Sequence, residues 1–305
     1  MIERSGEGKV HHGGATKCRD IHHDLPDCVS ILGKHIEFCS CICRTAQRGR
    51  KVIRAQIIAA SGDIRIVDCA HILHGVPLAI NAGDYALGLV CTMVVRDRGL
   101  DDATKLAVLE VISEMSERTV EGQALDVGWV RDGIFDLTPD DYMVMALGKT
   151  GYYSGIAPLK AGAVIGGATA EEIEALAGFG QSCSIAFQIQ DDLLNILGDA
   201  NTMGKDYLSD ILESKRTLMV IHCLAEAGPN DRERLIQLLR LGNAKGADET
   251  GEVLRLLERY GSVDYARAKA VALVAEGRSC LAAVRESHAR DVLASMAGYF
   301  LERQL

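Results

Sequence analysis

Residues 187–222 read FQIQDDLLNILGDANTMGKDYLSDILESKRTLMVIH, and the fold turns on how they are read. Ile185, Ala186, Ile189, Leu193, Leu194 and Ile196 recur at helical spacing, so Asp191, Asp192 and Asn195 sit on a helix. Asp191 and Asn195 share a face with Asp192 beside them, and Gln188 lies one turn earlier. The apolar flanks put these carboxylates against a packed interior. Two adjacent carboxylates there repel each other and need a cation. A hard divalent ion with oxygen ligands, Mg2+ first, meets that need. After the Gly198–Gly204 loop come Lys205 and Asp206. A helix expected over 207–226 carries Asp210 and Glu213 down the face that Asp206 begins, with Lys215 and Arg216 following. Acids interleaved with bases suit a metal-bridged di- or triphosphate.

Outward from this stretch the chain reads as helices. Thr138-Pro139-Asp140-Asp141 is a helix start with a capping Thr, Pro at the first position and acids in the first turn. Thr169-Ala-Glu-Glu172 repeats that logic as a capping box. Further helices are expected over 79–95, 101–121, 171–198, 230–241, 248–260, 263–286 and 288–303. Residues 79–95 (AINAGDYALGLVCTMVV) are apolar enough to suggest a membrane span, but Asn81, Gly83 and Asp84 favour a buried core helix. Trp129 reads as a packing residue in a GWVRDG turn. No period-two alternation, dinucleotide-binding glycine fingerprint or P-loop is present. With aromatics at 5% and five prolines in 305 residues, the expectation is an all-α bundle. The formal net charge of −9 argues against nucleic acid as a partner. Met1 to His12 holds no apolar leader stretch, so a cytoplasmic protein is expected.

Three more segments join the acidic stretch in one pattern: Gly122-Gln123-Ala-Leu-Asp126, Lys149-Thr150-Gly-Tyr-Tyr-Ser and Ala79-Ile-Asn-Ala-Gly-Asp84-Tyr. Together they resemble the trans-isoprenyl diphosphate synthases, the polyprenyl synthetase family, over about residues 76–225. The resemblance implies an isoprenoid-synthase helical bundle around an apolar cavity, over residues 71–305. It implies ionisation of an allylic diphosphate, attack by isopentenyl diphosphate, and proton loss, with three Mg2+ ions. By the same resemblance Asp191, Asp192 and Asn195 match the metal motif, with Asn195 in place of an Asp. Lys149, Thr150, Lys205 and Lys215 match diphosphate-binding positions. Phe187 and Gln188 match residues facing isopentenyl diphosphate, and Gln123 and Asp126 match positions lining the cavity. A farnesyl- or geranylgeranyl-type product and a homodimer, or a heteromer with a related subunit, are implied too, with the 79–95 helix a candidate interface element.

The first 70 residues depart from that pattern. Five of the ten cysteines lie within residues 1–43, and residues 1–70 carry net +3, against net −12 for the rest. The family's first DDxxD motif, followed by RRGxP, has no counterpart in GDIRIVDCAHILHG (62–75). Arg50, Lys51 and Arg54 resemble the element that binds isopentenyl diphosphate, and Ile21–Asp27 resembles a short-chain form of the first motif. Both cannot stand in family order. Three readings stay open: a divergent lid using Asp24 and Asp27, a remodelled end, or a frame-shifted or mis-joined segment. Zinc at His35, Cys39, Cys41 and Cys43 is disfavoured because CxCxC lacks the usual ligand spacing. Reduced bystander cysteines are expected instead, and His71 and His74 read as structural. Two rivals to the synthase follow: a non-catalytic or regulatory subunit of a heteromeric synthase, and a class I terpene cyclase.

Overall fold

Reciprocal caps set where two helices begin. The Thr138 hydroxyl accepts from the Asp141 amide at 3.3 Å, and the Asp141 carboxylate accepts from the Thr138 amide at 2.8 Å. Thr169 and Glu172 do the same, at 3.3 and 3.0 Å. Each box satisfies donors that a helix start would otherwise leave without partners.

The computed structural model describes residues 76–198 and 207–302, and among them there is no strand. The α-helices in chain order are α1 (Val76–Arg96), α2 (Asp102–Arg131), α3 (Pro139–Ala146), α4 (Ala157–Ile165), α5 (Ala170–Leu197), α6 (Ser209–Leu212), α7 (Leu218–Glu226), α8 (Pro229–Arg240), α9 (Ala247–Arg259), α10 (Ser262–Cys280) and α11 (His288–Glu302). The all-α expectation holds. The expectations for residues 1–70 lie outside the described residues.

The chain divides into two compact units, residues 1–89 and 90–305. In the first, the described part is the start of α1, where Leu78, Ile80 and Tyr85 are exposed. In the second, α5 and α7 supply much of the core. All six apolar side chains from Leu218 to Leu224 are buried. α10 packs along α5 and α7. Each fully buried Leu or Ile contributes roughly 1.5–3 kcal/mol. Trp129 packs against this core as expected.

Three expectations are corrected. The 79–95 segment is helical but is not a core helix: none of the residues of Leu78–Arg96 is buried, although the stretch is long and apolar enough to cross a membrane. All-round apolarity measures what burial would yield, whereas coverage depends on a partner surface. The helix expected to stop near 121 runs to Arg131, so Trp129 lies inside it and not in a turn. Gly122 marks a close helix crossing, and the helix ends instead at Asp132 and Gly133, whose φ is +64°. The single helix expected over 207–226 is broken into α6 and α7, because Leu208 and Ser214 take φ of +60° and +59°.

A glycine-rich stretch forms the segment that matters most. Leu147–Ile156 (LGKTGYYSGI) is a π-helix running directly from α3 into α4. Such segments are rare and concentrate at functional sites. A Cβ on Gly122 of α2 would lie 2.0 Å from the Lys149 amide nitrogen. A Cβ on Gly155 would lie 2.0 Å from Ser184 Oγ of α5. The π-helix is therefore wedged backbone-to-backbone between α2 and α5, which fixes where its side chains point.

Candidate active site

The C-terminal half of α5 brings Gln188, Asp191, Asp192 and Asn195 to one cleft of about 350 Å³. Asp192 is buried. Its carboxylate accepts from the Tyr142 hydroxyl of α3 and from Gln188 Nε2, each at 2.8 Å. Gln188 Oε1 in turn accepts from the Thr150 hydroxyl of the π-helix at 2.6 Å. Thr150, Gln188, Asp192 and Tyr142 thus form one chain across three elements. Burial, with the Asp210 charge behind it, pushes the Asp192 carboxyl up to about 7, against the pull of the Gln188 and Tyr142 hydrogen bonds. The same burial, beside Asp192, raises the Tyr142 hydroxyl well above its ordinary range, so it stays a donor.

Facing this chain is the turn after α5. The Asn195 side chain holds it: Oδ1 accepts from the Asp210 amide at 3.1 Å and Nδ2 donates to Ser209 Oγ at 3.0 Å. The Asn195 carbonyl accepts from the Leu208 amide at 3.0 Å. Lys215 Nζ donates to Asp210 at 2.5 Å and lies 3.5 Å from Glu213. Burial opposes the Lys215 charge, but Asp210 outweighs it and the ammonium is held above its ordinary value. Arg216 is buried over the Phe135 ring, 4.2 Å from its centroid, and donates to the Ile134 carbonyl at 2.7 Å. Burial lowers it to about 10, still charged at neutral pH.

Across the cleft, Lys149 Nζ donates to Asp126 of α2 at 2.6 Å. The site therefore sets two lysine–aspartate pairs, Lys149–Asp126 and Lys215–Asp210, around Asp191 and Asp192. Its donor set is oxygen throughout, which suits a hard cation. Among the described residues no three His, Cys, Asp or Glu side chains stand close enough to hold a metal by themselves.

The structure brings together Asp126, Lys149, Gln188, Asp191, Asp192, Asn195 and Lys215 of the expected residues. Thr150 reaches the cleft through Gln188. Phe187 is half-buried and does not line the cleft, and Gln123 is exposed and stands away from it. Lys205, Arg50, Lys51 and Arg54 lie outside the described residues. Sequence reasoning missed Tyr142, although a fully buried tyrosine seven residues before Lys149 needs a partner for its hydroxyl. It also placed Asp210 on a long helix when the four-residue α6, flanked by Leu208 and Ser214 in left-handed backbone, carries it.

Comparison with known proteins places the fold among solved relatives. The family model for polyprenyl synthetase matches residues 65–257. A short chain isoprenyl diphosphate synthase of Methanothermobacter thermautotrophicus is 40% identical over 234 residues, 77% of this chain and 70% of that one. A solved geranylgeranyl pyrophosphate synthetase from Pyrococcus horikoshii superposes with a TM-score of 0.68 at 32% identity, covering 85% of this chain and 77% of that one. A geranylgeranyl pyrophosphate synthase from Corynebacterium glutamicum, solved with isoprenyl diphosphate and magnesium, has a TM-score of 0.67 at 25% identity, covering 84% and 76%.

Proposed function

The chain belongs to the polyprenyl synthetase family, and from that premise we propose that it joins isopentenyl diphosphate to an allylic prenyl diphosphate, giving a short-chain product of farnesyl or geranylgeranyl type. The observation that carries this reading is the pairing of Lys149 with Asp126 and of Lys215 with Asp210 around the buried Asp192. Carboxylates for cations and lysines for phosphate oxygens meet there in one cleft.

Magnesium held at Asp191 and Asp192 would neutralise the diphosphate as it leaves the allylic carbon. Asn195, matched to the same motif by the resemblance, anchors Ser209 and Asp210 through both polar atoms of its amide. Lys149 and Lys215 are each within reach of an anion in the cleft. On its arrival they exchange part of their contact with Asp126 and Asp210 for phosphate oxygens, which places positive charge where the leaving group gains negative charge. Gln188, held between Thr150 and Asp192, orients whatever lies against its amide. The proposal extends to a cytoplasmic enzyme acting as a homodimer or with a related synthase subunit.

The test is turnover of purified protein with Mg2+, radiolabelled isopentenyl diphosphate and each of dimethylallyl, geranyl and farnesyl diphosphate. Labelled product supports the reading, and its length names the reaction. Diphosphate release without label in the product would turn the assignment to a cyclase. A folded chain inert until a DDxxD-bearing synthase is added would make it a regulatory subunit.

A further inference from the structure

Two buried cations, Arg216 and Lys245, stand at the Asp210–Thr217 stretch, and the proposed chemistry uses neither. Arg216 reaches the cleft. Lys245, on the connection between α8 and α9, is 6% exposed and does not line it. Among the described residues neither cation is within salt-bridge distance of a carboxylate. Lys245 Nζ donates to Ser214 Oγ at 2.6 Å and to the Gly242 carbonyl at 2.9 Å. Burying an ammonium against neutral acceptors is costly. Burial and the nearby Arg216 charge lower it to about 8.

Ser214 is held by every polar atom it has. Its hydroxyl donates to the Leu239 carbonyl at 2.7 Å while accepting from Lys245. Its amide donates to the Ile211 carbonyl at 3.1 Å, and its carbonyl accepts from Arg216. It is also the non-glycine residue at φ +59°, a conformation a side chain resists. The next residue is Lys215, which reaches Asp210 in the cleft.

We propose that Lys245 is a positioning residue for the diphosphate site: by gripping Ser214 it holds the left-handed bend that aims Lys215 and Arg216 into the cleft. The proposal rests on the cleft being a diphosphate site. It makes a specific demand on glycine. A glycine at 214 adopts the bend without strain, so it should make the Lys245 grip dispensable.

The experiment compares wild type, Lys245→Met, Ser214→Gly and the double variant in the full chain. Binding of inorganic diphosphate with Mg2+ is read by titration calorimetry, and KM and kcat by turnover. Lys245→Met should weaken diphosphate binding and raise the allylic KM about tenfold, the scale of one charged hydrogen bond, with kcat changed far less. In the double variant both should return to within about threefold of Ser214→Gly alone, because coupled residues are non-additive. Lys245→Gln keeps an N–H donor for Ser214 without the charge, and is expected to bind between wild type and Lys245→Met. It serves if the methionine variant does not fold. Binding by Lys245→Met at wild-type strength, or no recovery in the double variant, overturns the proposal. Wild-type binding of diphosphate without turnover would count against the synthase reading and leave the binding comparison to decide Lys245.

Discussion

Asp192 concentrates the electrostatics of the site in one carboxyl. With its pKa raised to about 7, it carries a proton in the ion-free chain through the acid side of neutrality. A cation must displace that proton, so metal binding releases it and affinity depends on pH. The sign follows: apparent Mg2+ affinity should climb as pH rises from 6 towards 7 and level off above about 8. A magnesium titration of diphosphate binding at stepped pH checks it, and a flat profile would sink the assignment of Asp192 as a ligand. Asp191→Ala removes the neighbouring carboxylate, and we expect turnover to fall by at least about a hundredfold, the loss typical of one preorganised electrostatic group. A variant within tenfold of wild type in kcat/KM would remove Asp191 from the site. That both aspartates come to one cleft was legible in the sequence, because two acids inside an apolar helical run stand out from the core pattern around them. Tyr142 was not: a tyrosine on an amphipathic helix reads as core until its hydroxyl is seen to donate to Asp192.

At the scale of elements, the π-helix and its two glycine crossings decide the reach of Lys149 and Thr150. Gly122 touches the Lys149 backbone so closely that any Cβ must push the helices apart. Gly122→Ala should therefore destabilise by about 1–3 kcal/mol, the usual cost of overpacking. It should also lengthen the Lys149–Asp126 contact and raise KM for diphosphate substrates. Urea unfolding and steady-state kinetics read the two effects, and a variant as stable as wild type would show that the crossing has slack. Capping boxes at Thr138 and Thr169 were legible because a cap is local chemistry, written in four consecutive residues. The break between α6 and α7 was not, because Ser214 there, like Leu208 before α6, takes left-handed backbone with partners distant in sequence among its contacts, Leu239 and Lys245 for the one and Asn195 for the other. The same limit explains the exposed α1: its sequence records apolarity and not what lies against it.

Across the 90–305 unit, α5 acts as the shared axis. Its 28 residues span roughly 42 Å, with the Asp191–Asp192 pair near one end and Glu172 near the other. Glu172 caps the helix start, and Arg285 grips it with two guanidinium bonds of 2.7 Å, tying the chain after α10 to the base of the helix that presents the site. The Arg285 fork holds the Glu172 carboxyl down at about 2, against an ordinary 4.5. A carboxyl whose folded pKa is depressed stabilises fully above its unfolded pKa and loses that contribution as pH falls through the folded one. The stability that Glu172 supplies should therefore be complete above about pH 5 and decline from about 4.5 towards 2. Glu172→Gln keeps the shape but lacks the charge, so its melting temperature should lie below wild type at pH 7 and draw closer to it at pH 3. A gap that stays constant between those two conditions would mean that the charge of Glu172 contributes nothing to holding the last helices against α5.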